Sequence, residues 1–415
     1  MKILHISTGC PLSYQGGITN YVRGLVNIQY NNGYEVAVLG ETDKNQYNFK
    51  YFDYNSDKIR LNNFGKMIDK NSLEYINKIL LKEKFDIIHI HMVLNVDWDL
   101  FKILSKYNYI VSLHDYFYLC PRIKMLINNS ICNKYDEKEC MICISKIDTY
   151  QPLKRLRDKI NGKFDLKYEY PNIKQNITKL RYNKYKSLLE NASILLPVSK
   201  RVEEIYKESG IENTYHVAYI GNNTADDYIK YKEDDPEIKE NLNIVFIGTL
   251  TKEKGAEILI KLLENIENKN LNFHFYGGAD KNYLPKCEKM GLINHGMYLQ
   301  NDLKNILSEA DLGMVLSIWE DNGPQVVMEL LNNNVPVFAT KLGGIPDFVN
   351  EKNGFLFNPY DKSEFLKAVK FLNELNYNKI VKLKHGIIRT KNFQEHFEEL
   401  DVIYTNTIKK NNKRV

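Results

Sequence analysis

The chain has 415 residues, 43% of them hydrophobic and 26% charged, and a formal net charge of +5. That composition excludes disordered and fibrous classes, and the charge is too small to indicate a nucleic-acid partner where no zinc-finger, RRM or basic-zipper pattern accompanies it. The length fits two domains of about 200 residues each.

The start, MKILHISTGC, holds an apolar stretch too short for a signal-peptide core, and no run approaches the ~18 apolar residues that cross a membrane as a helix. The sequence therefore predicts a protein that is not exported. KILHIS (2–7), EVAVLG (35–40), DIIHIH (86–91), YIVSLH (109–114) and ILLPVS (194–199) read as strands, since short β-rich runs alternating with helical patterns mark a parallel sheet with crossover helices. Each run ends in small, polar or His residues, and ligands of open α/β sheets collect at the carboxyl ends of the strands. Between the first two strands Ile18, Tyr21, Val22, Leu25, Val26 and Ile28 keep near-helical spacing until Gly33 stops the pattern.

A second alternation runs through NIVFIG (243–248), NFHFYG (272–277), LGMVLS (312–317) and VPVFAT (335–340). The polar segment 220–242 between the two reads as a linker. This places a boundary near residue 223, giving an N-terminal domain 1–222, a C-terminal domain 223–391 and a final segment 392–415 with an amphipathic rhythm and a charged, frayed end.

Chemistry concentrates in SIWEDNGPQVVMELL, residues 317–331. Gly323 and Pro324 fit an N-cap and first helical position, because Pro has no N–H to lose there. The helix is expected to run to Asn333, with Asn334 in a left-handed cap. Its N-terminus suits a phosphate. Glu329, further along, can accept hydrogen bonds from a ribose diol, and Asp321, before the helix, from sugar hydroxyls; its neighbour Glu320 can take over that role if the loop shifts. A nucleotide diphosphate sugar needs that order of groups. In FIGTLTKEKG, Lys254 follows the strand end at Gly248 and can neutralise a departing diphosphate, an electrostatic contribution that is often the largest in catalysis. Lys252 is either a second cation or part of a solvated loop. Gly16 and Gly17 let backbone N–H groups approach a ligand. Gly343 and Gly344 form a tight turn, with Asp347 read as structural. His114 ends the fourth strand beside Asp115 and is structural or functional on its own showing. No Walker A or GxGxxG pattern is present, which removes support for ATPase and ordinary dinucleotide chemistry.

Six motifs in chain order, GGITNYV, DIIHIH, LHDYFYLCP, FIGTLTKEKG, SIWEDNGPQVVMELL and VPVFATKLGGIPDFV, resemble those of the retaining group 1 (GT4) glycosyltransferases over nearly the whole chain. The resemblance implies an α/β GT-B fold, two Rossmann-like domains whose parallel sheets face a central cleft, with the acceptor on the N-terminal side and the donor on the C-terminal side. It implies a last helix that crosses back to the first domain. The activity implied is hexosyl transfer from a UDP- or GDP-sugar to a glycan or lipid-linked acceptor in surface polysaccharide synthesis. The reaction would be a front-face one that needs no cofactor, in the cytoplasm or at the inner face of the membrane. It marks His114, Lys254 and Asp321 as catalytic. Donor contacts fall on Gly16, Gly17, Gly248, Thr249, Lys254, Glu320, Asn322, Gly323, Pro324, Gln325 and Glu329. The chain departs from the family at Asp321, where Glu is usual, and at Thr249, where Arg is common. Two rivals stay open: a nucleotide-sugar epimerase on the same fold, which would turn over donor without acceptor, and a non-catalytic scaffold, which would bind little nucleotide.

Cys120, Cys132, Cys140 and Cys143 are spaced C-x11-C-x7-C-x2-C. Four thiolates including a CxxC can hold a structural zinc; free or buried thiols and a redox or iron-sulfur role are the alternatives. Residues 151–190 carry eleven Lys or Arg against four acids, with tyrosines interleaved. That segment is either a surface for anionic lipid or a solvated face.

Overall fold

The computed structural model describes residues 1–7, 16–40, 48–53, 70–93, 98–127, 130–143, 177–232 and 239–412. Its contacts divide the chain into two units, one of Met1–Pro197, Val202–Val217 and Asp401–Val415, the other of Val198–Arg201 and Ala218–Leu400.

In the first unit, β1 (Lys2–Ile6), β2 (Glu35–Gly40), β3 (Lys50–Asp53), β4 (Ile87–Ile90), β5 (Tyr109–Leu113) and β8 (Leu195–Pro197) form a parallel sheet in the order β3-β2-β1-β4-β5-β8. A two-stranded antiparallel hairpin, β6 (Leu126–Ile127) with β7 (Ser130–Ile131), leaves the sheet after β5. IIHI and YIVSL are buried along their whole length, as strands of a parallel sheet covered on both faces must be. The helix Gly17–Asn31 buries Tyr21, Val22, Leu25 and Val26. The register sets His5 opposite His89, and His91 follows one pleat beyond on the same face.

The second unit repeats this order with β9 (Leu242–Ile247), β10 (Leu271–Tyr276), β11 (Leu292–Asn294), β12 (Leu312–Val315), β13 (Val337–Thr340) and β14 (Gly354–Phe357), arranged β11-β10-β9-β12-β13-β14. Alternate residues of β9 feed two cores. Leu242, Ile244 and Phe246 pack with Leu259, Leu262 and Leu372, whereas Val245 and Ile247 pack with Val327, Leu330 and Leu331 of the helix Gln325–Asn332. The chain turns opposite ways out of β9 and β12, so these neighbours make a topological switch point, where ligands of such sheets bind.

The long runs expected as strands are strands. The short edge segments β3, β11 and β14 were not among them. The helix Gln325–Asn332 begins one residue later than its sequence suggests: Pro324, at ψ 84, is the N-cap rather than the first helical residue. Asn334 adopts the left-handed cap at φ 58. Among the described residues no helix is long and apolar enough to cross a membrane. Of the basic stretch, residues 151–176 lie outside the described residues; the rest contributes the helix Ile177–Glu190.

Candidate functional site

Three loops leave the carboxyl ends of β9, β12 and β13 and are tied together by their backbones. Ile318 N donates to Glu253 O at 2.9 Å and Gly344 N to Asp321 O at 2.6 Å, while Thr340 Oγ1 donates to Ser317 O at 2.7 Å. A Cβ on Gly255 would lie 1.9 Å from the carbonyl oxygen of Leu316. Only glycine lets the loop press so close to the strand end, and this approach sets Lys254 beside Asp321.

Lys254 Nζ lies 2.7 Å from Asp321 Oδ2, and Ser317 Oγ donates to the same oxygen at 2.8 Å. The predicted cation and the predicted acid are thus one ion pair. Asp321 Oδ1 has no hydrogen-bond partner among the described residues, whereas both oxygens of Glu320 are engaged, by Arg201 Nε at 3.0 Å and Gly343 N at 2.6 Å. Of the two acids, Glu320 braces the loop through both oxygens, and Asp321 has the unengaged one. Asn322 Oδ1 is buried without a partner among the described residues, and such an acceptor is costly unless something donates to it. Lys252 pairs with Glu257 at 3.4 Å.

Gly248, at φ 119, has open space where a side chain would stand, and Thr249 O accepts from Thr251 N. Gly323, Pro324 and Gln325 lead into the helix that carries Glu329. Gln300 Nε2 donates to that carboxylate at 3.3 Å, and burial pushes its pKa up to about 7, because desolvation disfavours the charged form.

In the first unit Gly16 caps the helix Gly17–Asn31, its carbonyl accepting from Thr19 Oγ1 at 3.0 Å. His114 Nε2 lies 3.1 Å from His91 Nδ1, and His91 Nε2 lies 2.9 Å from His5 Nδ1. His5 Nε2 meets Gln29 Oε1 at 2.7 Å. The Gln29 amide nitrogen donates to the Tyr404 hydroxyl, which contacts His89 Nδ1 at 2.7 Å, and His89 Nε2 meets Ser112 Oγ at 2.8 Å. His5, His89 and His91 place ligand atoms within 4.8 Å of one another, but each of their ring nitrogens has a protein partner at hydrogen-bond distance. The group is a hydrogen-bond chain. With the Gln29 oxygen on His5, that ring donates from Nε2 and accepts at Nδ1. One proton per ring then makes His91 donate from Nε2 and His114 from Nε2, so the chain fixes the His114 tautomer.

Burial lowers the His5 pKa to about 4. A folded pKa below the unfolded one of about 6.5 means that the unfolded chain takes up the proton first. His5 thus contributes stability above pH 6.5 that is lost as pH falls toward 4, at about 1.4 kcal/mol per pH unit. Chemical denaturation between pH 7 and 4.5 should show this slope, and His5→Gln should reduce it by one proton; equal slopes would mean that His5 is protonated in the folded chain.

Lys254 and Asp321 come together; Glu329 instead meets Gln300, and His114 belongs to the first unit. Arg201, Ser317, His5, His91 and Gln29 were not identified from sequence. The HxH of DIIHIH and the His of KILHI were the available signal, because alternate residues share a face.

Residues 227–388 match the model of the family described as Glycosyl transferases group 1. A protein of Bacillus subtilis provisionally assigned as the teichuronic acid biosynthesis glycosyltransferase TuaC is 26% identical over 206 residues, 48% of this chain and 51% of that protein. This chain spans between 39% and 52% of the length of the first curated relatives it matches. A glycosyltransferase from Rickettsia africae superposes with a TM-score of 0.64 at 15% identity, covering 98% of both chains. Anabaena HepE, solved with UDP, superposes with a TM-score of 0.63 at 14% identity, covering 98% of this chain and 100% of that one. At such identities the likeness is one of fold.

Proposed function

We propose, from the match of residues 227–388 to the group 1 glycosyltransferase model and the GT-B likeness of the fold, that the protein transfers a hexose from a nucleotide sugar, with UDP the first nucleotide to test, to a glycan or lipid-linked acceptor in polysaccharide synthesis. The observation that carries the reading is the Lys254–Asp321 pair at the β9/β12 switch point, beside a helix N-terminus and a buried, unsatisfied Asn322 Oδ1. The UDP bound to HepE and the teichuronic acid assignment of TuaC support the donor and acceptor classes.

In this reading the helix N-terminus and Lys254 take the diphosphate, Glu329 the ribose hydroxyls, and Asp321 Oδ1 a sugar hydroxyl. The bond from the anomeric carbon to the phosphate oxygen breaks while a bond to the acceptor oxygen forms on the same face, and the acceptor proton passes to the departing phosphate. Lys254 stabilises the charge that develops there. In the first unit the histidine chain holds His114 in one tautomer, and the family resemblance suggests a catalytic role for it. A lipid-linked acceptor would place the enzyme at the inner face of a membrane.

Incubation with UDP- and GDP-sugars and an acceptor extract, followed by NMR of the product, tests this. The expected result is acceptor-dependent release of nucleoside diphosphate and a product with the donor's anomeric configuration. Inversion overturns the retaining mechanism, and turnover of donor alone favours an epimerase.

Glu329 adds a pH dependence. Ribose hydroxyls donate to the carboxylate, so binding favours the ionised form, and affinity should fall by up to about tenfold per pH unit below 7. Calorimetric titration of nucleotide from pH 5.5 to 8 should show this slope, and Glu329→Gln should flatten it. A slope unchanged in Glu329→Gln would assign the titration to another group.

A further inference from the structure

Beyond β5 the chain forms a cysteine-lined cavity that the transferase reading does not use. The backbone turns after Leu119, Cys120 leads into the β6–β7 hairpin, and Cys132 N donates to Met125 O at 2.8 Å as the hairpin returns. A helical turn over 137–143 then carries Cys140 and Cys143, capped by Asp136, whose Oδ1 accepts from Glu139 N at 2.9 Å. All four cysteines, 23 residues from first to last, line one cavity of about 30 Å³. None of them forms a disulfide.

We propose that Cys120, Cys132, Cys140 and Cys143 draw together on a single zinc ion as a tetrathiolate site; as they stand, no three of their sulfurs lie within 4.8 Å of one another, so binding must close the cavity around the ion. The size of the cavity supports one ion: it exceeds the 10–15 Å³ or so that admits a water but is too small for an organic ligand. Cys120 opens a turn that holds Ile123 and Met125 at φ 69 and φ 49. A β-branched residue adopts such a φ only under tight local constraint. Arg122 Nη1 donates to Cys143 Sγ at 3.4 Å.

Charge points the same way. Zinc with four thiolates carries a net charge of −2 by simple valence, which a partly buried site must offset. Arg122 and Lys134 line the cavity and are matched in number by Asp136 and Glu139, so the net positive charge must come from outside the lining. Behind them the fully buried Arg181, hydrogen-bonded to the carbonyls of Phe117 and Tyr118, interacts electrostatically with Cys120 and Cys140. A closed four-sulfur shell is structural. It would fix the loop that runs from His114 to Cys120, and it stands whether or not the transferase reading does.

The test is elemental analysis of the full chain purified from zinc-supplemented cells, followed by chelator competition. The expected result is one zinc per chain, released in step with modification of four thiols by a mercurial reagent, and a thiolate-to-metal charge-transfer band after exchange for cobalt. Cys132→Ser should abolish stoichiometric zinc. Arg122→Met, which leaves all four ligands in place, should weaken zinc about tenfold. The mercurial titration uses the unmodified chain, so it decides the matter even if the serine variant fails to fold. Metal-free protein with four freely reactive thiols, iron with acid-labile sulfide, or a disulfide among the four would overturn the proposal.

Discussion

Lys254→Met should lower kcat/KM for sugar transfer by about 10²–10³ while costing only about 1 kcal/mol of stability. The asymmetry follows from where each partner stands. The Lys254 side chain is 41% exposed and that of Asp321 12%, so water screens much of the ion pair in the resting protein. After the substitution Ser317 Oγ still donates to the Asp321 carboxylate. In the transition state, by contrast, negative charge develops on the departing diphosphate, and a cation already fixed beside it needs no reorganisation. Lys254→Arg should recover part of the rate, since it keeps the charge and changes the reach. Parallel kinetic and thermal measurements separate the two effects. A kcat/KM within about threefold of the parent, against the 10²–10³ typical for loss of such a group, would make Lys254 a structural residue.

The second large effect is steric. Gly343 has φ +59, and a Cβ there would sit 2.1 Å from Asp321 O and 2.4 Å from Asp321 N. Both contacts are backbone, so no flexible side chain can move aside. The same turn donates Gly343 N to Glu320 and Gly344 N to Asp321 O, which makes it the clamp on the acidic loop. Gly343→Ala should therefore destabilise the second unit by about 4 kcal/mol or more, lowering its melting temperature by about 10 °C, and should abolish nucleotide binding. Gly291→Ala in the same unit is the control. Its φ is +92 but nothing lies within 4 Å of the new Cβ, so only the backbone cost of about 1 kcal/mol remains. Similar melting temperatures for the two variants would contradict the clamp.

The sheets were legible in the chain because buried parallel strands are nearly continuous apolar runs bounded by polar turns. IIHI, YIVSL and LNIVFI stand out on that ground. LIN of β11 and KYFD of β3 are too short to carry a period, and both take edge positions where one neighbour suffices. At the site, Lys254, Asp321 and Glu329 could each be named from residue type and motif. Their partners could not. The Lys254–Asp321 pair depends on Gly255 packing against Leu316, Glu320 is held by Arg201 from 119 residues away, and Pro324 caps the helix where its residue type suggested the next position. The histidine chain was hidden for the same reason. A register that faces His5 with His89 cannot be read from strands buried on both faces, and the Gln29–Tyr404 contact joins residues 375 apart.

The most direct measurement is calorimetric titration of the full chain with UDP, GDP and their hexose conjugates, repeated on Lys254→Met and Glu329→Gln. The account predicts saturable binding of one nucleoside diphosphate by the parent, at least about tenfold weaker in each variant, a loss of about 1.4 kcal/mol apiece. Absence of binding by any of these nucleotides at millimolar concentration, in a chain that melts cooperatively, would contradict it.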